Sequence, residues 1–443
     1  MTVEKGKYFI RTYGCQMNEH DSEKLAGVLD EEGYQPAANI EDADVILLNT
    51  CCVRENAELK VYGKLGQLKQ FKEKNPELII GICGCMMQEE EVVNKIKQKH
   101  RFVDLIFGTH NIDRFRELLK QAKEKNKQLV EIWDDSRGLI SNMPADREAE
   151  HKAKVNIIYG CDNYCTYCIV PYVRGDERSR PQEQILQEIK ELAADGVKEV
   201  MLLGQNVNSY GQDLDREIDF ADLLVEVSNI EGLPRIRFMT SHPRDFSDKL
   251  IDVVTEVDEI CEHYHLPVQA GSNKILQKMN RGYTREEYLA LVEELQDRRP
   301  EAAITSDIIV GFPGETEEDF QKTLDLYRHV RFDRAFTFMY SKRTGTPAAN
   351  MEGQVAEEVK KERHQQLLEL QEQINQEKNK QLEGEIMEVL VDGPSKTNPD
   401  LLSGRTRTNK IVIFSGPENL TGKLVNVMIN KAKSWTLFGE VVN

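Results

Sequence analysis

Val155-Asn-Ile-Ile-Tyr-Gly-Cys161-Asp-Asn-Tyr-Cys165-Thr-Tyr-Cys168 joins an apolar, β-branched run to a loop that carries three thiols. The run predicts a strand over Lys154–Tyr159. Further strand patterns follow at Glu199–Leu203, Arg235–Thr240, His263–Val268, Ala302–Val310 and Ala335–Tyr340. Helical periodicity lies between them, as at Gln182–Ala194, Glu286–Arg298 and Glu317–His329. Repeated strand–helix units predict a parallel barrel or partial (β/α)6 barrel whose ligands bind at the carboxyl ends of the strands. The thiols stand at that end of the first strand. Three thiolates in one loop can hold three irons of a [4Fe–4S] cluster and leave the fourth iron open. The alternative is structural zinc, which needs a fourth ligand such as Cys261, His263 or His265. His263 and His265 fall on the fourth strand, where one is expected to point inward as a packed imidazole.

Working outward, residues 1–133 also alternate. Strands are expected at Lys7–Tyr13, Asp44–Asn49, Leu78–Ile82 and Leu105–Phe107, and helices at Asp21–Glu32, Asn56–Lys72 and Glu89–Lys99. This is the pattern of an open parallel α/β domain. Cys15 follows the first strand, Cys51 and Cys52 the second, and Cys83 and Cys85 the third, so residues far apart in sequence converge on one sheet edge. Three loops can thus hold a second cluster. Cys83 sits within an apolar run, which favours Cys85 as the ligand; the choice between Cys51 and Cys52 stays open on physical grounds. Cys52, Cys83 and Cys261 read as small core residues.

The nine cysteines are an odd number, and the N-terminus, MTVEKGKYFI, has no basic region followed by an apolar stretch. A disulfide framework is therefore disfavoured, and a reducing cytoplasm is the expected setting. No apolar run approaches the ~18 residues that cross a bilayer. Residues 134–152 read as a linker and residues 153–380 as the barrel domain. That domain ends in a long, largely exposed helix over Val355–Glu383. Residues 381–443 change character, with short β-branched runs between Gly, Pro, Ser and Asn, and predict a small β-barrel.

The Cys161–Cys168 loop after a first barrel strand resembles the radical S-adenosylmethionine superfamily. That resemblance implies S-adenosylmethionine contacts from Tyr167 and from the later strand ends: Gln205, Asn206, Ser241, Gln269 and Asp307. The acidic residue usual after the second strand is missing, so Gln205 or Asn206 takes its place. Gly311-Phe-Pro-Gly-Glu-Thr316 resembles the superfamily's late glycine motif. With Tyr13-Gly-Cys15-Gln-Met-Asn18, Asn49-Thr-Cys51-Cys52-Val-Arg-Glu55, Cys83-Gly-Cys85-Met-Met-Gln88 and Cys168-Ile-Val-Pro-Tyr-Val-Arg174, the whole chain resembles the methylthiotransferase family. The family implies an auxiliary [4Fe–4S] cluster on Cys15, Cys51 and Cys85, a radical-generating cluster on Cys161, Cys165 and Cys168, and a terminal TRAM-like RNA-binding β-barrel. It also implies insertion of a methylthio group at carbon 2 of N6-isopentenyladenosine at position 37 of tRNA, with one S-adenosylmethionine as methyl donor and another as radical source. Carbon 2 bears an unactivated C–H bond that no side-chain base removes, which is why a carbon radical is needed. Alternatives are threonylcarbamoyladenosine in tRNA, an aspartate of a ribosomal protein, or a non-catalytic iron–sulfur protein that binds RNA or senses redox state. The implied partners are the tRNA anticodon stem-loop, a reductant such as flavodoxin or ferredoxin, and an iron–sulfur carrier for cluster repair; no membrane is involved.

The net charge of −18 argues against non-specific coating of nucleic acid. It is unevenly spread: Gly393–Asn443 has seven basic and three acidic residues, a local +4 (7 − 3). Arg405, Arg407 and Lys410, with Trp435 and Phe438, are candidate phosphate and stacking contacts. Arg174 and Arg178, near Asp176 and Glu177, are further RNA candidates.

Overall fold

The computed structural model describes residues 5–52, 55–125, 127–134, 143–147, 149–215 and 217–442. Part of the expected linker, 135–142 and 148, lies outside the described residues. The chain forms two compact units: Met1–Glu148 with Tyr159–Asp162 and Cys168–Glu177, and the remainder through Asn443.

In the first unit a six-stranded parallel sheet has the order β2-β1-β3-β4-β5-β6. Its strands are β1 (Gly6–Tyr13), β2 (Tyr34–Pro36), β3 (Val45–Thr50), β4 (Ile79–Gly84), β5 (Leu105–Phe107) and β6 (Leu129–Glu131). β3 and β4 are buried along their whole length, as Val/Ile/Leu runs in a sheet covered on both faces must be. Alternation sends Val45 and Leu47 to one core with Leu25, Leu29 and Phe115, and Ile46 and Leu48 to another with Leu65, Ile80 and Ile96. The edge strands β2 and β6 were not expected; Tyr34-Gln-Pro36 and Leu129-Val-Glu131 lack the unbroken apolar run that marks the equally short β5. Helix α1 (Gln16–Glu31) begins five residues before the expected Asp21. Its polar first turn reads as loop, yet Asn18 and His20 are buried there.

In the second unit, Lys152–Asn156, Glu199–Leu203 and Arg235–Phe238 pair in parallel, as do His263–His265, Ala303–Val310 and Arg334–Met339. A bridge from Ile236 to Ile260 connects the two sheets. The first and sixth strands make no ladder in the described sheets, so the barrel is partial. Its core is lined by Val155, Leu202, Ile236, Tyr264, Ile304 and Ile308.

The helix expected to be largely exposed, Glu357–Lys380, is exposed over most of its surface and packs one stripe along the barrel's last strand. It buries Lys360, Arg363, Leu367, Gln371, Ile374, Asn375 and Asn379. Most of that stripe is polar, which hid it from hydropathy. Each polar member has a partner: Arg363 donates to Glu315 Oε2 at 2.7 Å, and Gln371 to the Phe332 carbonyl at 2.9 Å.

The last segment forms a closed five-stranded barrel: Ile386–Pro394, Leu402–Thr406, Ile411–Ser415, Leu424–Ala432 and Leu437–Val442. It is joined to the α/β barrel by buried charge. Arg235 donates to Glu388 Oε1 at 2.8 Å and to the Arg405 carbonyl at 3.0 Å. Arg237 donates to Glu199 at 2.8 Å and to the carbonyls of Thr406 and Arg407, both at 2.7 Å. Arg407 grips both oxygens of Glu262, at 2.9 and 2.8 Å, and the carbonyls of Asp258 and Ile260. Breaking a buried pair from one side costs about 3–5 kcal/mol, because the other charge is left desolvated. Arg407→Ala is therefore expected to destabilise this unit by roughly 3 kcal/mol, the low end because the pair keeps some solvent. A urea midpoint unchanged from that of the parent would show that the contact contributes nothing.

Candidate functional site

Parallel register carries the N-terminal thiols. Tyr13 of β1 stands beside Thr50 of β3, and Thr50 beside Gly84 of β4. Cys51 and Cys85 follow those residues directly, and Cys15 comes two positions after Tyr13. Adjacent strands lie about 4.8 Å apart, so the three exits span roughly 10 Å. Cys15 is the exposed N-cap of α1, while Cys51 and Cys85 are buried.

Side-chain amides lock this edge. Asn18 Nδ2 donates to Asn49 Oδ1 at 3.0 Å and to the Thr50 carbonyl at 3.1 Å, and Asn49 Nδ2 returns a bond to the Asn18 carbonyl at 2.8 Å. Thr50 Oγ1 donates to the Cys83 carbonyl at 2.6 Å, and the Cys15 thiol to Asn18 Oδ1 at 3.3 Å. Gly84 turns the chain at φ +96°, where a Cβ would meet the Thr50 carbonyl oxygen at 2.3 Å. Only glycine fits there.

Cys52 and Cys85 pack together with Ile169 and Val173. The hydrogen bond from Cys52, then the nearby Arg174 guanidinium, pull the Cys85 thiol down against the effect of burial, while Cys52 is pushed up. Cys83 belongs to the opposite core with Leu47 and Phe107, and burial pushes its thiol up; Cys261 is buried and pushed up in the same way.

Arg174, an RNA candidate in the sequence, is only 5% exposed. Its Nε donates to Cys85 Sγ at 3.1 Å and its Nη2 to Asp21 Oδ2 at 3.2 Å. A guanidinium so engaged faces the thiol site and not RNA. Arg178 is half-buried at the start of a short strand.

The Cys161–Cys168 loop is held at each part. Cys161 N–H donates to the Gly175 carbonyl at 3.1 Å, and a Cβ on Gly160 would lie 1.9 Å from the Asp176 carbonyl oxygen. Within the second unit, Thr166 N–H donates to the Met279 carbonyl at 3.0 Å, and Asn280 Nδ2 reaches the Asn163 and Tyr164 carbonyls, both at 3.2 Å. Arg281, unnoticed in the sequence, is 4% exposed and donates to Cys165 Sγ at 3.2 Å, Tyr167 Oη at 3.4 Å and the Pro267 carbonyl at 2.6 Å. Among the described residues it bonds no carboxylate. A buried cation needs an anion, and a thiolate-ligated cluster at Cys165 supplies one; the residues present therefore fit the group.

Other expected contacts lie at strand ends of the same barrel. Asn206 donates to Asp245 at 2.7 Å and accepts from His242 N–H at 3.1 Å. Gln205 beside it and Tyr167 are half-buried. Ser241 Oγ and His242 Nε2 are buried polar atoms without a protein partner, open to a polar ligand. Burial, with Arg281 and Arg244 close by, keeps His242 neutral. Thr240 and Gln269 adopt left-handed backbone, φ +70° and +74°, a strain that non-glycine residues hold mainly at functional sites. Asp307 stands 3.6 Å from His265 Nε2. His263 and His265 both bond Thr305 Oγ1, at 3.2 and 3.0 Å, so both face the same way. Residues two apart on a strand share a face, which corrects the expectation that only one points inward. Among the described residues no trio of His, Cys, Asp or Glu is drawn together for a single metal ion; thiolates that each bind a different iron stand farther apart.

Of the C-terminal RNA candidates, Arg407 is taken up by Glu262, and Lys410 by Asp333 Oδ1 at 2.9 Å and Asn379 Oδ1 at 3.0 Å. Both serve attachment. Among the described residues the Arg405 side chain bonds Asn409 of its own hairpin, and Arg405 is half-buried.

Comparison with known proteins agrees with this layout. The radical SAM superfamily matches residues 155–327, the uncharacterized protein family UPF0004 residues 7–108, and the TRAM domain residues 380–442. The tRNA-2-methylthio-N(6)-dimethylallyladenosine synthase of Alkaliphilus oremlandii is 57% identical over 98% of this chain and 93% of its own. That of Thermoanaerobacter pseudethanolicus is 57% identical over 99% and 94%. In fold, the radical S-adenosylmethionine methyltransferase TsrM from Kitasatospora setae superposes with a TM-score of 0.56 at 12% identity, over 78% of this chain and 77% of that one. A superfamily loop, a sheet edge bearing three dispersed thiols, a terminal β-barrel and this near full-length identity make the chain a member of the tRNA-2-methylthio-N(6)-dimethylallyladenosine synthase family of radical SAM enzymes.

Proposed function

We propose that this chain inserts a methylthio group at carbon 2 of N6-dimethylallyladenosine at position 37 of tRNA, with [4Fe–4S] clusters on Cys161, Cys165 and Cys168 and on Cys15, Cys51 and Cys85. The observation that carries the reading is the aligned trio of thiol-bearing strand ends in a chain that also has the radical SAM loop. When bound, the clusters and S-adenosylmethionine supply a 5′-deoxyadenosyl radical, a methyl group and the sulfur.

The chain's own residues do the rest. Arg281 balances charge at Cys165 and ties it to the Pro267 carbonyl. Tyr167, Gln205, Asn206, Ser241, Gln269 and Asp307 present polar groups to S-adenosylmethionine, with neutral His242 among them. Lys423, Lys431 and Lys433 are exposed on the terminal barrel, and Trp435 is 49% exposed. With Arg405 and Arg178 they contact phosphates and stack on bases of the anticodon stem-loop, whose target base must be splayed from its neighbours. A flavodoxin or ferredoxin supplies electrons, an iron–sulfur carrier restores the consumed cluster, and the setting is the cytoplasm. Among the described residues no helix is long and apolar enough to cross a membrane.

Mass spectrometry of tRNA nucleosides from cells with and without the protein identifies the substrate; an unchanged 2-methylthio-N6-dimethylallyladenosine level would refute it. In anaerobically reconstituted protein reduced with dithionite, Ala at Cys161, Cys165 and Cys168 is expected to abolish 5′-deoxyadenosine formation and leave the other cluster in place. Ala at Cys15, Cys51 and Cys85 should keep 5′-deoxyadenosine but stop thiolation. Cys52→Ala and Cys83→Ala should keep full iron, and loss of iron from either would reassign a ligand. Lys431→Glu with Lys433→Glu should weaken tRNA binding and lower the slope of log K against log salt by about 1–2, at roughly 0.7–0.9 per phosphate contact. An unchanged slope would remove these lysines from the RNA surface.

A further inference from the structure

Resting on the auxiliary-cluster reading above, we infer that Arg174 and Asp21 form a charge pair that sets the reduction potential of the cluster ligated by Cys85. Arg174 ends the short helix Val170–Arg174, six positions after Cys168. The helix is held tightly. Thr109 Oγ1 donates to the Val173 carbonyl at 3.1 Å, Gly175 N–H donates to the Pro171 carbonyl at 3.1 Å, and Ile169 and Val173 pack on Cys52 and Cys85. The planar guanidinium bridges the Cys85 sulfur and the Asp21 carboxyl group, with Nε on Cys85 Sγ at 3.1 Å and Nη2 on Asp21 Oδ2 at 3.2 Å.

Packing alone does not explain such a side chain. Arg174 is 5% and Asp21 6% exposed, and apolar residues of similar volume usually stabilise a buried site at least as well as an ion pair does. What an apolar residue cannot do is act on the charge of the sulfur. Reduction adds one electron, and so one negative charge, to the cluster. An N–H···S bond from a cation favours the reduced form and raises the potential; a nearby carboxylate opposes it. Arg174 supplies the first effect and Asp21 moderates it. The pair therefore predicts shifts of opposite sign from its two members, which a merely structural role does not.

The test is EPR-monitored potentiometry on reconstituted full-length protein carrying Ala at Cys161, Cys165 and Cys168, so that only the auxiliary cluster reports. Arg174→Gln is expected to lower the midpoint, with a tenfold smaller reduced-to-oxidised ratio at fixed potential, about 59 mV for one electron. Asp21→Asn is expected to raise it, and Arg174→Lys, which keeps the charge, to stay nearer the parent. Shifts in the same direction, unchanged midpoints at full iron, or loss of iron from both the Gln and the Asn variants would each overturn the proposal. A parent without iron would overturn the cluster reading itself, and the iron count separates that failure from the others.

Discussion

Tyr13, Thr50 and Gly84 stand side by side because β1, β3 and β4 pair in parallel, and the N-terminal thiols hang from that row. Parallel strands need helical crossovers, so the three exits are separated in sequence by α1 and α2 (Glu55–Lys74) while remaining neighbours in space. A slip of one residue in either ladder would turn β3 or β4 over and exchange core faces. Val45 and Leu47 would then trade places with Ile46 and Leu48, in two cores already filled to zero exposure. The packing that fixes register also fixes where Cys51 and Cys85 emerge. The amides of Asn18 and Asn49 repeat the constraint across the strand ends, tying the first turn of α1 to β3. At Cys161–Cys168 chain proximity brings the thiols together, and Asn280 and Arg281 hold the middle of the loop.

Buried guanidinium groups form a second system. Arg235 and Arg237 are 0% and 2% exposed, yet they point at carboxylates and carbonyls that belong to the terminal barrel or to Glu199. Arg281 and Arg174 are as deeply buried and point at sulfur. The difference lies in compensation: Arg174 has Asp21, whereas the described partners of Arg281 are neutral apart from the thiol. The charge beside Cys165 is therefore the less balanced of the two. The terminal barrel, in turn, is no loosely tethered module. Truncating it would strip acceptors from Arg235 and Arg237, so exposed lysines report on RNA binding more cleanly than a deletion does.

How far the sequence could be read follows from the same physics. The four central strands of the first sheet and all six barrel strands were visible because β-branched runs bounded by polar residues have few other solutions. The cysteine positions were visible because they fall at the ends of those runs. The edge strands Tyr34–Pro36 and Leu129–Glu131 mix apolar with polar residues, and the helix Glu357–Lys380 hides its buried face behind Lys360, Arg363, Gln371 and Asn375. Arg174 and Arg281 were illegible as thiol neighbours: a lone arginine in a loop looks solvated, and only tertiary structure shows 3.1 and 3.2 Å to sulfur. Arg407 and Lys410 were misplaced for the converse reason. Composition counts charge without saying which side of a barrel bears it.

That last point alters what the local charge excess means. Two of the seven basic residues in the terminal segment are neutralised by Glu262 and Asp333, so the outward-facing positive charge is smaller than the sequence count. A body of net charge −18 offers little further attraction to phosphate. In the proposed RNA reading, the exposed Lys423, Lys431 and Lys433 still meet phosphate, and stacking supplements them. Trp435 has the Arg334 guanidinium at 5.8 Å from its ring, and Phe438 has Lys433 Nζ at 5.3 Å, so each pairs an aromatic face with a cation. Base stacking on such faces tolerates any sequence but requires unstacked bases, which an anticodon loop offers and a continuous duplex does not. Under the proposed reading, exposed aromatic faces beside modest charge would favour loops, where bases are unstacked, over continuous duplex.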